Sequence, residues 1–228
     1  MEGFGWIMTI ILGGLAGWIA EKVMKFDTGL IMNIVLGVVG AVVGNYVLSL
    51  IGIGLGGWIA AEIAVKDSAR LSRLVMANAV GVKVGDRETR DIVDVWALTP
   101  DEYDALAYFD PKAGKRDYKN LPEAAALAAA RNREAHARYA WSPYMHNPKL
   151  KNRLHRIRIP TLFLWGVADR ILSDRYGRGY CAMIAGATFE PIERAGHFPH
   201  LEQPAEFARR ALAFADAGAK AAPRAQRA

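Results

Sequence analysis

Two side chains that can do acid–base chemistry stand just after two apolar segments of the sequence. Asp169 follows the apolar residues 159–165, and His197 follows the weaker segment 188–192. A carboxylate that accepts a hydrogen bond from one imidazole nitrogen fixes the tautomer and leaves the other nitrogen free to act as a base. Asp169 and His197 are therefore a candidate acid–base pair. Asp169 also suits a simpler role, as a cap of the turn before Arg170.

A glycine-rich stretch, Gly52-Ile53-Gly54-Leu55-Gly56-Gly57, has the G-x-S-x-G spacing of a nucleophile elbow. In an elbow, a sharp strand-to-helix turn lifts a catalytic side chain above a sheet. The central position here is Gly54, which has no side chain and cannot form a covalent intermediate. Glycine also suits a tight turn with a positive φ. No serine has the elbow spacing and Cys181 has no neighbouring base in sequence, so we predict no substitute nucleophile.

Helices and strands alternate after the glycine stretch and would position these residues. Apolar periodicity and helix-start signals predict the elements. Helices are expected over 57–65, 121–139 and 204–216, strands over 73–79, 159–166 and 188–192, and a charged helical zone over 86–147 that starts a helix at Pro100. This order is typical of an α/β domain with parallel strands and a helical lid. Sites in such sheets lie beyond the carboxyl ends of the strands, where Asp169 and His197 are expected.

The first 53 residues contain two apolar segments, 4–20 and 30–53, joined by the polar connector 21–29. A helix needs about 20 apolar residues to cross a bilayer, with a range of roughly 17–25. Glycines recur at close-packing intervals, at Gly13 and Gly17 and again at Gly40 and Gly44, as in packed membrane helices. We therefore predict a transmembrane helical hairpin over 1–53. Two alternatives stay open: a buried hairpin of a soluble domain, and a buried strand over 46–51 that leads into the elbow.

Composition narrows the function classes. The 228 residues carry a net charge of +6, and because residues 1–57 sum to −1, the remainder carries the excess. A basic balance favours an anionic membrane surface or nucleic acid, but no aromatic-interleaved basic motif supports nucleic acid. The single cysteine excludes an internal disulfide and a cysteine metal cluster. His197 and His200 have no evident third ligand, so no metal or cofactor is expected.

Residues 1–56 resemble the transglycosylase-associated family of small bacterial stress-response membrane proteins. The resemblance rests on Gly14-Leu15-Ala16-Gly17-Trp18-Ile19-Ala20-Glu21-Lys22 and on Asn33-Ile34-Val35-Leu36-Gly37-Val38-Val39-Gly40-Ala41-Val42-Val43-Gly44. That family normally continues into a third apolar segment, which is absent here. The resemblance implies residence in a membrane and no established catalytic residues.

From residue 56 to about 214 the chain is similar to the lid-bearing branch of the α/β-hydrolase superfamily. The similarity rests on the glycine-rich elbow, on Pro160-Thr161-Leu162-Phe163-Leu164-Trp165-Gly166 with Asp169, and on Gly196-His197 with Pro199-His200 and Glu202-Gln203-Pro204. It implies that Asp169 is the triad acid, that His197 is the general base, and that the backbone amide of Leu55 is one oxyanion-hole donor. Gly54 departs from the family at the nucleophile. The upstream strands and second oxyanion donor that the family implies are expected to be missing.

The sequence thus predicts a partial α/β-hydrolase fold, with a truncated parallel sheet and a helical lid, preceded by a two-helix transmembrane hairpin. The expected boundaries are 1–53 for the hairpin, 54–216 for the hydrolase domain with its lid at about 86–147, and 217–228 for a disordered basic tail. The two parts would be a fusion joined at the glycine stretch. The resemblances imply the bacterial inner membrane, with the soluble part on the cytoplasmic side, where Lys66, Arg70 and Arg73 favour it.

Three functions follow as hypotheses. The first is a hydrolase-family protein, of the ester- or C–X-bond class by descent, that lacks its nucleophile and is inactive or strongly impaired. The alternative is a stress-response membrane protein of the transglycosylase-associated family with a non-catalytic soluble appendage. The third is a ligand-binding module, which needs an intact pocket under the lid. Expected partners are a lipid bilayer, a small ester-like ligand and, through helix–helix contacts, a second copy of the chain.

Overall fold

A four-stranded sheet organises the part of the chain that the structure describes. The computed structural model describes residues 48–68, 71–86, 88–114 and 120–221. The strands are β1 (Leu48–Ile53), β2 (Leu71–Ala77), β3 (Thr161–Gly166) and β4 (Thr188–Ile192), and they lie side by side in that order. β2 pairs with β3 in parallel, with Leu74 opposite Thr161, and β3 pairs with β4 in parallel, with Leu162 opposite Thr188. The expected parallel sheet is confirmed.

Seven α-helices and one 3₁₀ helix surround the sheet in the described residues. They are α1 (Leu55–Lys66), α2 (Pro100–Ala107), α3 (Pro111–Gly114), α4 (Glu123–Ala140), the 3₁₀ helix (Lys151–Arg156), α5 (Asp174–Ala182), α6 (Pro199–Glu202) and α7 (Pro204–Ala221). Helices α2 to α4 are inserted between β2 and β3, where the sequence predicts the lid. Helix α2 begins with a capping box: the Thr99 hydroxyl accepts from the Glu102 amide, and the Glu102 carboxylate accepts from the Thr99 amide.

The core has two parts because β3 is buried on both of its faces. All six residues of β3 are buried, in keeping with an apolar central strand of a parallel sheet. On one face, Phe163 and Trp165 pack with residues of α1, α5 and the 3₁₀ helix. On the other face, Leu162 and Leu164 pack with residues of α7. Helices therefore cover both faces of the sheet at β3.

The predicted transmembrane hairpin is wrong over residues 48–53, which form β1 instead of the end of a helix. Leu50 packs on the larger core cluster and Ile53 on the smaller one, so both faces of this strand contact the core, although Ile51 remains exposed. Apart from Ser49 and Gly52 the strand consists of large apolar residues, as a membrane helix mainly does. No helix in the described ranges is long and apolar enough to cross a membrane. Residues 1–47 of the predicted hairpin lie outside the described residues.

The predicted tail also begins later than expected. Helix α7 continues through residues 217–221 to Ala221, because this alanine-rich segment favours a helix. Residues 222–228 lie outside the described part of the chain.

Gly166, the last residue of β3, permits the close approach of the loops that follow β3 and β4. A Cβ atom at this position would lie 2.0 Å from the Gly196 carbonyl oxygen and 2.6 Å from that of Ala195. The Ala168 amide donates to the same Ala195 oxygen at 2.9 Å, which joins the two loops. A side chain at Gly166 would therefore separate the loop of Asp169 from the loop of His197.

We predict that Gly166→Ala lowers the free energy of unfolding by about 3 kcal/mol or more, since the added methyl group meets rigid backbone. Gly56→Ala is the matched control, because a Cβ atom there meets nothing within 4 Å. Because Gly56 lies in helix α1, where alanine is favoured over glycine, Gly56→Ala should raise the free energy of unfolding by up to about 1 kcal/mol. Chemical denaturation followed by circular dichroism measures both. Equal effects of the two substitutions would contradict the close approach at Gly166.

Candidate functional site

Each of the four strands ends at a residue of the site. Gly54 follows β1, Asn78 follows β2, Asp169 lies in the loop after β3 and His197 lies in the loop after β4. Because the paired strands are parallel, their carboxyl ends meet at one edge of the sheet, as expected of sites in such folds. The structure brings the predicted residues Asp169, His197 and Gly54 together there, and it adds Asn78.

Asp169 is buried, with 4% of its surface exposed, and its carboxylate accepts four hydrogen bonds. Oδ1 accepts from the amides of Ile171 at 2.8 Å and Leu172 at 2.9 Å. Oδ2 accepts from Asn78 Nδ2 at 2.8 Å and lies 2.8 Å from His197 Nδ1. One oxygen therefore caps the turn and the other orients the imidazole, so Asp169 has both roles that the sequence left open.

His197 is held at both its backbone and its ring. Its amide donates to the Ala107 carbonyl oxygen, at the end of lid helix α2, at 2.6 Å. Its ring meets the Phe198 ring edge-on, with centroids 4.9 Å apart. Since the amides and Asn78 already donate to the Asp169 carboxylate, Nδ1 is the natural donor of the His197–Asp169 bond. Nε2 is then the nitrogen that can accept a proton.

Gly54 forms the apex of the elbow and faces that nitrogen. Its backbone has φ +54° and ψ −118°, a conformation that L-residues rarely adopt. Its amide donates to the Ala77 carbonyl oxygen at 2.9 Å, and its carbonyl oxygen accepts from the Val80 amide at 3.2 Å. A Cβ atom built on Gly54 would lie 3.1 Å from His197 Nε2. His197 Nε2 therefore points at the Cβ position from which a nucleophilic side chain would branch.

Leu55 is the first residue of helix α1, immediately after the apex. Its amide has no backbone or side-chain acceptor among the residues that the structure describes. Amides at a helix N-terminus point out of the helix and favour negative charge. The Leu55 amide is thus positioned next to the apex, as its predicted role of oxyanion donor requires.

A cavity of about 680 Å³ lies between this edge of the sheet and the lid, and Gly54, Leu55 and His197 line it. Most of its other lining is apolar, from the loops at the strand ends and from the lid: Ile53, Val80, Val95, Leu98, Met145 and Phe198. Small-molecule sites have volumes of about 300–1,000 Å³ and this kind of lining. The pocket that the ligand-binding hypothesis requires is therefore present.

Sequence reasoning missed two parts of this site. Asn78 donates to Asp169 Oδ2, and its own Oδ1 accepts from the Gly166 amide at 3.0 Å. The position of Asn78 directly after β2, at the same edge of the sheet as Asp169, was the sequence signal that could have identified it. His136 of lid helix α4 also lines the cavity. Its pKa is lowered by burial first, and then by the charges of Arg133 and His197.

We predict that Asn78→Ala lowers the free energy of unfolding by about 2–3 kcal/mol, because it leaves one buried amide without an acceptor and Asp169 without one donor. Asn152→Ala, at an exposed position of the 3₁₀ helix, is the matched control and should change it by less than about 0.5 kcal/mol. Urea denaturation of both variants measures the difference. Equal, small effects would show that Asn78 does not support the acid.

Solved structures of several hydrolases share this fold. A membrane phospholipase A, described as a bacterial virulence factor, is 24% identical with a TM-score of 0.59, over 86% of this chain and 65% of that one. The meta-cleavage product hydrolase CumD of Pseudomonas fluorescens IP01 is 20% identical with a TM-score of 0.61, over 81% and 70%. The serine hydrolase CarC, involved in carbazole degradation, is 17% identical with a TM-score of 0.57, over 82% and 70%. The chain thus spans 65–70% of the length of these proteins.

The family match covers most of the chain. The model of the alpha/beta hydrolase family matches residues 27–210, whereas no curated protein matches. Residues 27–47, which the sequence assigned to a membrane hairpin, fall within this match. These comparisons do not support the resemblance of residues 1–56 to transglycosylase-associated proteins. They also do not favour a stress-response membrane protein as the alternative to a hydrolase. The chain belongs to the alpha/beta hydrolase family.

Proposed function

We propose that this protein is an α/β hydrolase, of the ester- or C–X-bond class by descent, that binds an acyl-type ligand beneath its lid without forming a covalent acyl-enzyme. The observation that carries the proposal is the apex of the elbow. His197 Nε2 would lie 3.1 Å from a Cβ atom at Gly54, and Gly54 offers neither oxygen nor sulfur. Covalent catalysis needs such an atom beside the base.

The remaining parts support ligand binding and weak catalysis. The Leu55 amide can donate to a carbonyl oxygen, and His197 can accept a proton from a bound hydroxyl group or water. In a serine hydrolase, losing one triad member costs on the order of a millionfold in rate and leaves roughly a thousandfold over water. The protein should therefore bind its ligand but convert it only at a very low rate.

Four other candidate nucleophiles in the described residues are occupied or unsuited. Ser173 caps helix α5, where its Oγ accepts from the Tyr176 amide at 3.2 Å. Ser49 and Ser72 hydrogen-bond to each other at 3.3 Å. Cys181 is buried in α5, and burial raises the pKa of its thiol, which disfavours the reactive thiolate. None of these side chains lines the cavity.

We predict that the purified protein is not labelled by a fluorophosphonate probe, and that Gly54→Ser gains His197-dependent labelling. Gly54→Ala is the matched control, because it adds the same Cβ atom without the hydroxyl group. The positive φ should destabilise both variants by about 1–2 kcal/mol. The 3.1 Å approach also requires a small retreat of the His197 ring in both of them. Intact-protein mass spectrometry measures the adduct.

Two results would contradict the proposal. The first is stoichiometric labelling of the unaltered protein that His197→Ala abolishes, since a nucleophile would then exist. The second is a folded Gly54→Ser variant that stays unlabelled. That outcome would mean that His197 and the Leu55 amide are not arranged for acyl transfer.

A further inference from the structure

The lid side of the cavity is rich in hydrogen-bond donors, whereas the rest of its lining is mainly apolar. Helix α4 contributes Asn132, Arg133 and His136, and the segment before α2 contributes Trp96. The Arg133 guanidinium lies 5.6 Å from the centre of the Trp96 ring, and the His136 ring lies 4.8 Å from it. These side chains form one group, which we name the lid donor group: Trp96, Asn132, Arg133 and His136.

The charge of Arg133 is not neutralised by a carboxylate of the described residues. Arg138, on the same helix, pairs with Glu134 at 3.1 Å, whereas no ion pair of Arg133 is found in that part of the chain. Asp104 also lines the cavity, and no ion pair joins it to Arg133 in the described residues. Arg133 is exposed at the rim of the cavity, and its planar guanidinium matches a carboxylate in geometry and charge.

Trp96 and His136 fix the surroundings of the Arg133 guanidinium. The Trp96 ring packs beside both side chains, and its own Nε1–H is buried away from the cavity, without an acceptor among the described residues. Burial first, and then the positive charges of Arg133 and His197, lower the pKa of His136. The lid donor group is therefore electropositive, through Arg133.

We propose that the cavity binds a ligand that carries a carboxylate, with the carboxylate held by Arg133 of the lid donor group and the apolar remainder reaching toward Gly54 and His197. This inference rests on the proposed function and specifies its ligand class. The apolar lining and the volume of about 680 Å³ accommodate an aryl or alkyl chain between the two ends. A half-ester or another acyl compound with a free carboxylate has this chemistry.

The experiment compares 4-phenylbutyrate with 4-phenylbutyramide, its neutral isostere, by isothermal titration calorimetry on the full chain. The protein should bind the carboxylate at least about tenfold more tightly than the amide, as expected for a charge-assisted hydrogen bond. Arg133→Gln should abolish this preference. Arg131→Gln is the matched control, because Arg131 is exposed on the same helix and does not line the cavity.

Nuclear magnetic resonance titration of His136 gives a readout that does not depend on affinity. Bound 4-phenylbutyrate should raise the pKa of His136, because a nearby anion stabilises the imidazolium, whereas 4-phenylbutyramide should not raise it by this route. Arg133→Gln should also raise that pKa in the free protein, because it removes a positive charge that lowers it.

The outcomes separate the two proposals. Equal binding of the acid and the amide, with no rise in the pKa of His136, would overturn the carboxylate inference and leave the proposed function standing. If neither compound binds, the carboxylate inference and the proposed function are both overturned. A preference for the carboxylate that survives Arg133→Gln but is lost in Arg131→Gln would also overturn the inference, because the anion would then lie outside the cavity.

Discussion

The buried carboxylate of Asp169 is the constraint on which the rest of the site depends. A charge removed from water is tolerated only when hydrogen bonds replace its hydration. Here the donors are two amides of its own loop, the side chain of Asn78 and the ring of His197. They come from three loops, which follow β2, β3 and β4, so satisfying this carboxylate fixes all three relative to one another. The acid–base pair is therefore part of the architecture and does not depend on a nucleophile for its assembly.

Gly54 suits the sharp turn that it forms after β1. The elbow is held by backbone hydrogen bonds, from the Gly54 amide to Ala77 and from the Val80 amide to Gly54. A side chain contributes nothing to these bonds, and a positive φ is less strained at glycine than at any L-residue. A glycine at this position thus offers no atom for covalent chemistry, while the turn, the His197–Asp169 pair and the cavity are in place. A binding function under the lid is what these parts support.

The sequence predicted the elements whose signals are local, and the Asp169 and His197 loops, because each follows a recognisable strand. The start of α2 at Pro100 is encoded by its capping box, and β3 by an uninterrupted apolar run. Strand β1 was misassigned because an apolar run has the same composition in a buried strand and in a membrane helix. The roles of Asn78 and Arg133 escaped prediction since both depend on contacts between residues that are distant in the chain.

The hydrogen bond between His197 and Asp169 is tested most directly by proton nuclear magnetic resonance. A buried imidazole N–H that donates to a carboxylate exchanges slowly and resonates far downfield of the amide region. We predict one such signal in the unaltered protein, retained in Gly54→Ala and lost in Asp169→Asn. Its absence from a folded, unaltered protein at neutral pH, or its persistence in Asp169→Asn, would contradict an acid–base pair that is assembled without a nucleophile.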